Sequence, residues 1–180
     1  MMRMFLLALS VILPPLVAAP ASAQDSAVSI AGWERQVAST GTVYYRCRAA
    51  SCTVQSTVSY RTQPPGRMPS VAEFRQGQER VNQRMVESSN GRLSRVDMID
   101  VAESERVGAK LVTAVKLLVP ANGPNQYLAT ALVVDGPRRF SIVSTAPNEA
   151  AARANLTTFV PVVMLQVQLQ PQGTPPARNP

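Results

Sequence analysis

The chain has 180 residues, 46% of them hydrophobic and 16% charged, and its 18 basic against 11 acidic side chains give a formal net charge of +7. This length suits about one domain with a hydrophobic core of its own. The chain has no histidine, which removes the commonest general base, the usual serine and cysteine triads and most zinc sites. The basic residues form no block with interleaved aromatic residues, so we do not expect nucleic-acid binding.

The first 23 residues have the pattern of a secretory signal peptide. Arg3 gives a positive start, residues 5–17 form an apolar run, and Ala21-Ser22-Ala23 provides the small residues that precede a cleavage site. The run is shorter than the about 18 to 20 residues of a membrane span, and Pro14-Pro15 interrupts it. We expect cleavage after Ala23, a periplasmic or secreted location, and no transmembrane span in the mature chain.

Two cysteines, Cys47 and Cys52, lie between segments with strand-like alternation. The alternation predicts a hairpin in which Cys47 opposes Cys52 and Tyr45 opposes Val54. Disulfides persist in exported proteins, whereas redox-active pairs are usually spaced C-x-x-C and two thiols without histidine make a poor metal site. We therefore predict a structural disulfide between Cys47 and Cys52.

A helix is predicted after this hairpin. Residues 63–66 contain two prolines and a glycine and stop strand pairing. Ser70 followed by Glu73 is the pattern of a capping box, and apolar residues then recur at helical spacing. The pattern predicts a helix over residues 71–87, which Ser88-Ser89-Asn90-Gly91 would end.

A change to strand periodicity follows the helix and predicts a meander of four antiparallel strands. The second and third strands are apolar on both sides, which indicates that they are central in a sheet with layers above and below. The predicted strands cover residues 93–101, 107–119, 127–134 and 139–145.

The last part of the chain contains a second helix that begins near Glu149 and that Pro161 ends or kinks. Residues 162–169 fit a final strand and a continued helix equally well. Residues 171–180 hold four prolines and no large apolar residue, so we expect a disordered tail after a single α+β domain over residues 24–170.

The order hairpin, helix, meander, helix resembles the PsbP-like superfamily over about residues 56–159. The segments that carry the resemblance are Gly91-Arg92-Leu93 and residues 106–112 (RVGAKLV), 126–130 (QYLAT), 140–144 (FSIVS) and 150–153 (AAAR). The resemblance implies an α+β fold in which an antiparallel sheet of about six strands is sandwiched between helices. A second family, the invasion-associated locus B proteins, places Trp upstream of paired cysteines as Gly32-Trp33 does here, but the predicted first helix argues against its all-strand fold.

Members of the PsbP-like superfamily are binding or accessory proteins without catalytic residues. They include extrinsic subunits of a photosystem, a nuclear import cofactor that binds a small GTPase, and exported bacterial proteins. The superfamily has no shared functional motif, so the resemblance assigns no catalytic, cofactor-binding or metal-binding residue to this chain.

Carboxylates are the remaining candidates for catalysis or metal binding. Asp97 and Asp100 are predicted on opposite faces of one strand, with Glu103 and Glu105 near the following turn. A hydrolase that uses two carboxylates stays open, as does a calcium site at Asp97, Asp100 and Glu103, although the glycine-punctuated pattern of calcium loops is missing. We expect solvated carboxylates, no metal and no cofactor.

Arg138 and Arg139 form the densest basic point of the chain, beside the predicted tight turn at Asp135-Gly136. Since arginine binds carboxylates and phosphates bidentately, this pair is the candidate anion contact.

These patterns predict an exported, soluble binding or accessory protein of the bacterial periplasm, without catalysis. Its partner would be an unknown protein or an anionic component of the envelope. Two alternatives remain open: a carboxylate-dependent envelope hydrolase and a basic surface-attachment protein. A hydrolase predicts a concave pocket with converging carboxylates, and surface attachment predicts binding that weakens as salt rises.

Overall fold

The computed structural model describes residues 28–106 and 108–169, which form seven strands and two helices. The predicted signal peptide and the predicted proline-rich tail lie outside the described residues. The strands are β1 (Trp33–Val37), β2 (Val43–Cys47), β3 (Thr57–Thr62), β4 (Leu93–Arg106), β5 (Ala109–Pro120), β6 (Gln126–Asp135) and β7 (Arg138–Ala146); the helices are α1 (Val71–Ser88) and α2 (Glu149–Leu169).

All seven strands join one antiparallel sheet in the order β1-β2-β3-β7-β6-β5-β4. The two strands predicted to be central, β5 and β6, are interior. The prediction of about six strands is corrected to seven, because β1 was not recognised. This short strand reads Trp-Glu-Arg-Gln-Val and has too few apolar residues to show a clear alternation.

The register of the cysteine hairpin differs from the prediction. Tyr45 lies opposite Val58 rather than Val54, and Val54 is 65% exposed in the loop between β2 and β3. The disulfide joins Cys47, the last residue of β2, to Cys52 in this loop. The Cys47 backbone N–H donates to the Ser56 carbonyl at 3.1 Å, and the pairing of β2 with β3 starts at the next residue pair, Arg46 and Thr57. The shift is an even number of residues, so the predicted apolar side of each strand remains the buried side.

Helix α1 begins at the predicted capping box. The Ser70 hydroxyl accepts a hydrogen bond from the Glu73 backbone N–H at 3.3 Å, and the Glu73 carboxylate accepts one from the Ser70 N–H at 2.8 Å. A hydrogen-bonded ion pair with Arg67, helped by the bonds from Ser70, lowers the pKa of Glu73 to about 2. After the helix, Asn90 and Gly91 take left-handed φ angles of 52° and 76°, as its predicted ending requires.

The two helices pack on opposite faces of the sheet, and each covers one half of it. Phe74 of α1 packs with Val112 and neighbouring side chains of β4, β5 and β6. Phe159 of α2 packs in the larger core cluster, which draws on β2, β3, β6 and β7 and includes Leu111 of β5. Leu111 and Val112 are consecutive and so point to opposite faces. The predicted arrangement of an antiparallel sheet between helices is therefore present.

Helix α2 continues through Pro161 to Leu169, so residues 162–169 are helix and the strand alternative is wrong. The alternation of leucine, valine and glutamine resembled a strand, yet Phe159, Val160, Val163 and Val167 bury at helical spacing. Pro161 is exposed, so its missing N–H lies on the solvent side.

By length and composition, residues Glu149–Gln168 of α2 meet the criteria for a membrane span, with a mean hydropathy of 1.2. Half of this stretch is buried within the fold. The Trp33 and Phe159 rings meet edge to face with centroids 4.9 Å apart, and the Tyr45 hydroxyl donates to Gln166 Oε1 at 3.0 Å. These contacts are those of a core helix.

Candidate binding surface

A part of the sheet on the side of α1 is left uncovered, because α1 packs on β4 and β5 while strands β1, β2, β3 and β7 lie beyond it. The opposite side of these strands is the one buried under α2. We call this surface the open face. It consists of Glu34 and Gln36 of β1, which lie opposite Arg46 and Tyr44, and of nine residues that alternate with the buried residues of β2, β3 and β7: Tyr44, Arg46, Thr57, Ser59, Arg61, Arg139, Ser141, Val143 and Thr145.

Hydroxyl groups line the centre of the open face. The Thr57 and Thr145 hydroxyls share a hydrogen bond of 2.5 Å across β3 and β7, and Gln63 Nε2 donates to the Ser141 hydroxyl at 2.9 Å. Tyr44 is 45% exposed at one side of this row. The surface can therefore both donate and accept hydrogen bonds over the width of three strands.

Positive charge dominates the open face. The four strands that form this part of the sheet contain one carboxylate, Glu34, which accepts a hydrogen bond from Arg48 Nε at 2.6 Å. This bond lowers the pKa of Glu34, and nearby Arg46 adds to the effect. Within the described part of the chain, no carboxylate forms an ion pair with Arg46 or Arg61.

Arg139 is the third guanidinium of this surface, and the loop before α1 holds it in place. Its Nη1 atom would lie 2.6 Å from a Cβ atom at Gly66, so glycine at this position leaves room for the arginine. The Arg139 backbone carbonyl accepts from the Gln63 N–H at 2.7 Å, which ties the same loop to β7. The Nε atom of Arg139 is buried and has no hydrogen-bond partner in the described structure.

The structure separates the two arginines that the sequence grouped as one anion contact. Arg138 lies on the α2 side of β7 and forms an ion pair with Asp135 at 3.7 Å across the β6–β7 turn. Arg139 points to the other side and joins Arg46 and Arg61. Sequence reasoning missed these two residues because only the order and register of β2, β3 and β7 bring them to one surface.

The three arginines span a diagonal of the open face. Arg61 lies opposite Ser141, and Arg139 is two residues further along β7, which places their Cα atoms about 8 Å apart from ordinary strand spacing. Arg46 lies opposite Thr57, four residues before Arg61, which gives a separation of about 14 Å. A single small anion is too short to bridge all three.

Two carboxylates of β4, Asp97 and Asp100, are bound by arginines. A β-bulge between Met98 and Asp100 changes the strand parity, so Asp97 and Asp100 lie on the same face and the prediction of opposite faces is wrong. Asp97 accepts from Arg95 Nε at 2.8 Å, and Asp100 accepts from Arg153 at 3.3 Å. Each of these two carboxylates thus has an arginine partner of its own.

No metal centre is formed by the candidates that the sequence offered. Glu103 and Glu105 are exposed near the end of β4, on the face opposite Asp100. Across residues 28–106 and 108–169, no group of three or more His, Cys, Asp or Glu side chains is placed to hold a metal ion.

A cavity of about 240 Å³ lies between α2 and strands β4 and β5. Leu111 and Leu156 supply apolar walls, and Ser104 and Thr157 supply hydroxyls. Its lining includes Arg153, whose guanidinium bonds to Glu149 at 2.8 Å as well as to Asp100. The described lining of this cavity contains no carboxylate, and Asp100 and Glu149 are bound by its lining residue Arg153.

Lys116 is the one strongly buried charged side chain of the described residues, with 1% of its surface exposed. It lies on the α1 side of β5, opposite Met98 and Leu128. Burial lowers its pKa to about 8. A lysine of this kind can act as a nucleophile when a reacting group lies beside it, but the structure shows neither a hydrogen bond nor an ion pair from its ammonium to a described residue.

A scan against models of protein families finds no match, and a search of curated proteins finds none either. Similar solved structures include the solution structure of cyanobacterial PsbP (CyanoP) from Synechocystis sp. PCC 6803, at 10% identity and a TM-score of 0.41, covering 78% of this chain and 92% of that one. One similar structure is thus a PsbP protein, the family that the sequence resembles.

Another similar structure is a protein of unknown function, PA94 from Pseudomonas aeruginosa, described as a putative regulator. It has 12% identity and a TM-score of 0.41, and the match covers 79% of this chain and 99% of that one. Both likenesses concern the course of the chain, and no ligand or activity is transferred from them.

Proposed function

We propose that this chain is an exported, non-catalytic binding or accessory protein of the bacterial periplasm, and that it binds an anionic partner through the open face. Export rests on the signal-peptide pattern of residues 1–23. The partner is a component of the envelope, to which an exported chain has access.

The observation that carries the proposal is the charge of the open face. Three guanidinium groups, those of Arg46, Arg61 and Arg139, share a surface on which the one carboxylate is already bound by Arg48. An anionic group that approaches this surface gains charge-assisted hydrogen bonds without displacing an internal ion pair of Arg46 or Arg61. The surface is an uncovered sheet rather than a deep pocket, which suits binding better than catalysis.

A cross-linking experiment in the native envelope tests this function. The full chain, tagged after Pro180, is cross-linked in its own cells, and mass spectrometry identifies both its N-terminus and whatever is recovered with it. We expect a mature N-terminus at Gln24, a periplasmic fraction, and an anionic partner that is lost in the double variant Arg46→Gln/Arg61→Gln.

The double variant Arg80→Gln/Arg84→Gln is the matched control, because both residues are exposed on α1 and the net charge changes equally. Equal loss of the partner in the two double variants would show that total charge rather than the open face is responsible, and would contradict the proposal. Recovery of the protein in the cytoplasm with an uncleaved N-terminus would contradict export.

A further inference from the structure

The chemistry of the open face narrows the class of its partner. We infer that the partner is an anionic polysaccharide, a chain of sugar units that bears carboxylate groups, bound across β2, β3 and β7. This inference rests on the proposed function and specifies what the same surface recognises.

The open face lacks the apolar centre of a protein-binding surface. Interface cores between proteins are apolar, depleted in charge, and built around buried aromatic or aliphatic anchors. Here the centre consists of Thr57, Ser59, Ser141 and Thr145, with Val143 as the aliphatic side chain among them. A folded partner docked on this surface would bury hydroxyl groups and gain little from the removal of apolar area.

The spacing of the arginines indicates an extended ligand. Arg46 and Arg61 are about 14 Å apart by strand geometry, and Arg139 extends the diagonal by about 8 Å. Three separate anionic groups along one flexible chain can reach them, whereas a lone carboxylate or phosphate reaches one. The planar guanidinium binds a carboxylate through two parallel hydrogen bonds, which favours arginine over lysine at each position.

The hydroxyl row indicates that the ligand itself carries hydroxyls. Serine and threonine hydroxyls donate one hydrogen bond and accept others, and sugar hydroxyls do the same, so a sugar chain can use both functions. A polyanion without hydroxyls, such as inorganic polyphosphate, would leave the acceptor function unused. Tyr44, 45% exposed beside this row, offers an aromatic surface to the apolar side of a sugar ring.

Calorimetric titration of the mature chain with polygalacturonate tests the inference, with neutral dextran and inorganic polyphosphate as comparison polymers. We expect polygalacturonate to bind more tightly than polyphosphate, and dextran to bind at least about tenfold more weakly than polygalacturonate. Arg46→Gln/Arg61→Gln should weaken polygalacturonate binding by about tenfold or more, and the control Arg80→Gln/Arg84→Gln by less than about twofold.

A second pair of variants separates the hydroxyls from the charges. Ser59→Val keeps a strand-forming residue on the open face and removes one hydroxyl, and Tyr44→Ala removes the aromatic surface. Both should weaken polygalacturonate binding by a larger factor than polyphosphate binding, because a sugar chain also donates to the hydroxyl and stacks on the ring. Tyr44→Phe should retain polygalacturonate binding. Circular dichroism of each variant confirms that the sheet is intact before its affinity is interpreted.

The failures of the inference and of the proposed function are distinguishable. The polysaccharide inference is wrong if polyphosphate binds as tightly as polygalacturonate, or if the protein binds only to vesicles of phosphatidylglycerol. It is also wrong if the partner is a protein whose binding needs Arg46 and Arg61. In these cases the proposed binding of an anionic partner through the open face is still supported. If neither polymer, vesicle nor protein depends on these two arginines, the inference and the proposed function are both wrong.

Discussion

Replacement of Lys116 by methionine should stabilise the protein at neutral pH, because Lys116 is a charged group in an apolar place. It is 1% exposed and lies opposite Met98 and Leu128 in the sheet. Burial lowers its pKa from 10.5 to about 8. Methionine has a similar length and no charge, so Lys116→Met removes the desolvation penalty with little change in packed volume.

The lowered pKa gives both the size and the pH range of the effect. Each unit of difference between the pKa values of the folded and unfolded states corresponds to about 1.4 kcal/mol. Keeping the Lys116 side chain protonated in the folded state therefore costs roughly 3 kcal/mol of stability. Below about pH 8 both states are protonated and the full cost is present. Between about pH 8 and 10.5 the folded state loses its proton first, so the free energy of unfolding rises with pH across this range.

Urea unfolding followed by circular dichroism at pH 7 and pH 10 measures this effect. We expect Lys116→Met to raise the free energy of unfolding at pH 7 by about 2 to 3 kcal/mol and by much less at pH 10. Lys110→Met is the matched control: Lys110 is exposed on the same side of the same strand, and its replacement should change stability by less than about 0.5 kcal/mol.

Two results would refute the reasoning about Lys116. One is a loss of stability in Lys116→Met at pH 7. The other is an equal gain of stability between pH 7 and pH 10 in the wild type and in Lys116→Met, since the pH dependence that both proteins share comes from other groups and only the difference between them reports Lys116.

Three further predictions concern stability. Ser70→Ala should lower the free energy of unfolding by about 1 kcal/mol in urea unfolding, because the capping box is lost; an unchanged value would show that the cap does not stabilise α1. The double variant Cys47→Ser/Cys52→Ser should lower it by about 2 kcal/mol, the amount expected for so short a loop, and a much larger loss in the same assay would contradict an effect of chain entropy alone. Phe159→Ala should lower the thermal midpoint through a loss of about 3 to 5 kcal/mol, since the ring is fully buried against Trp33; a loss below 1 kcal/mol in calorimetry would contradict its place in the core.

The elements with strong local patterns were predicted well from the sequence. The capping box at Ser70 fixed the start of α1, and the apolar runs of β5 and β6 placed them inside the sheet. The turn at Asp135 was also predicted, because Gly136, with a φ of 55°, supplies a conformation that other residues rarely adopt. In each case a few neighbouring residues determine the structure.

The open and the wrong predictions concern places where distant contacts override local patterns. The end of α2 alternates like a strand, but burial of Val163 and Val167 against the sheet stabilises the helix. The bulge at Met98 reverses the parity of β4 beyond it, and nothing in the local sequence of this strand marks that position. The relation of Arg46 and Arg61 to Arg139 depends on the pairing of three strands, so the open face could not be found before the sheet order was known.

The order of the strands also distributes net charge unevenly over the sheet. Strands β2, β3 and β7 carry four arginines and no carboxylate, whereas the edge strand β4 carries four carboxylates and two arginines beside the two lysines of β5. Net positive charge is therefore concentrated on three neighbouring strands, while the charges of β4 and β5 offset one another. Since electrostatic attraction decays over about 8 Å in physiological salt, an anionic surface attracts these three strands only when the protein is already close to it.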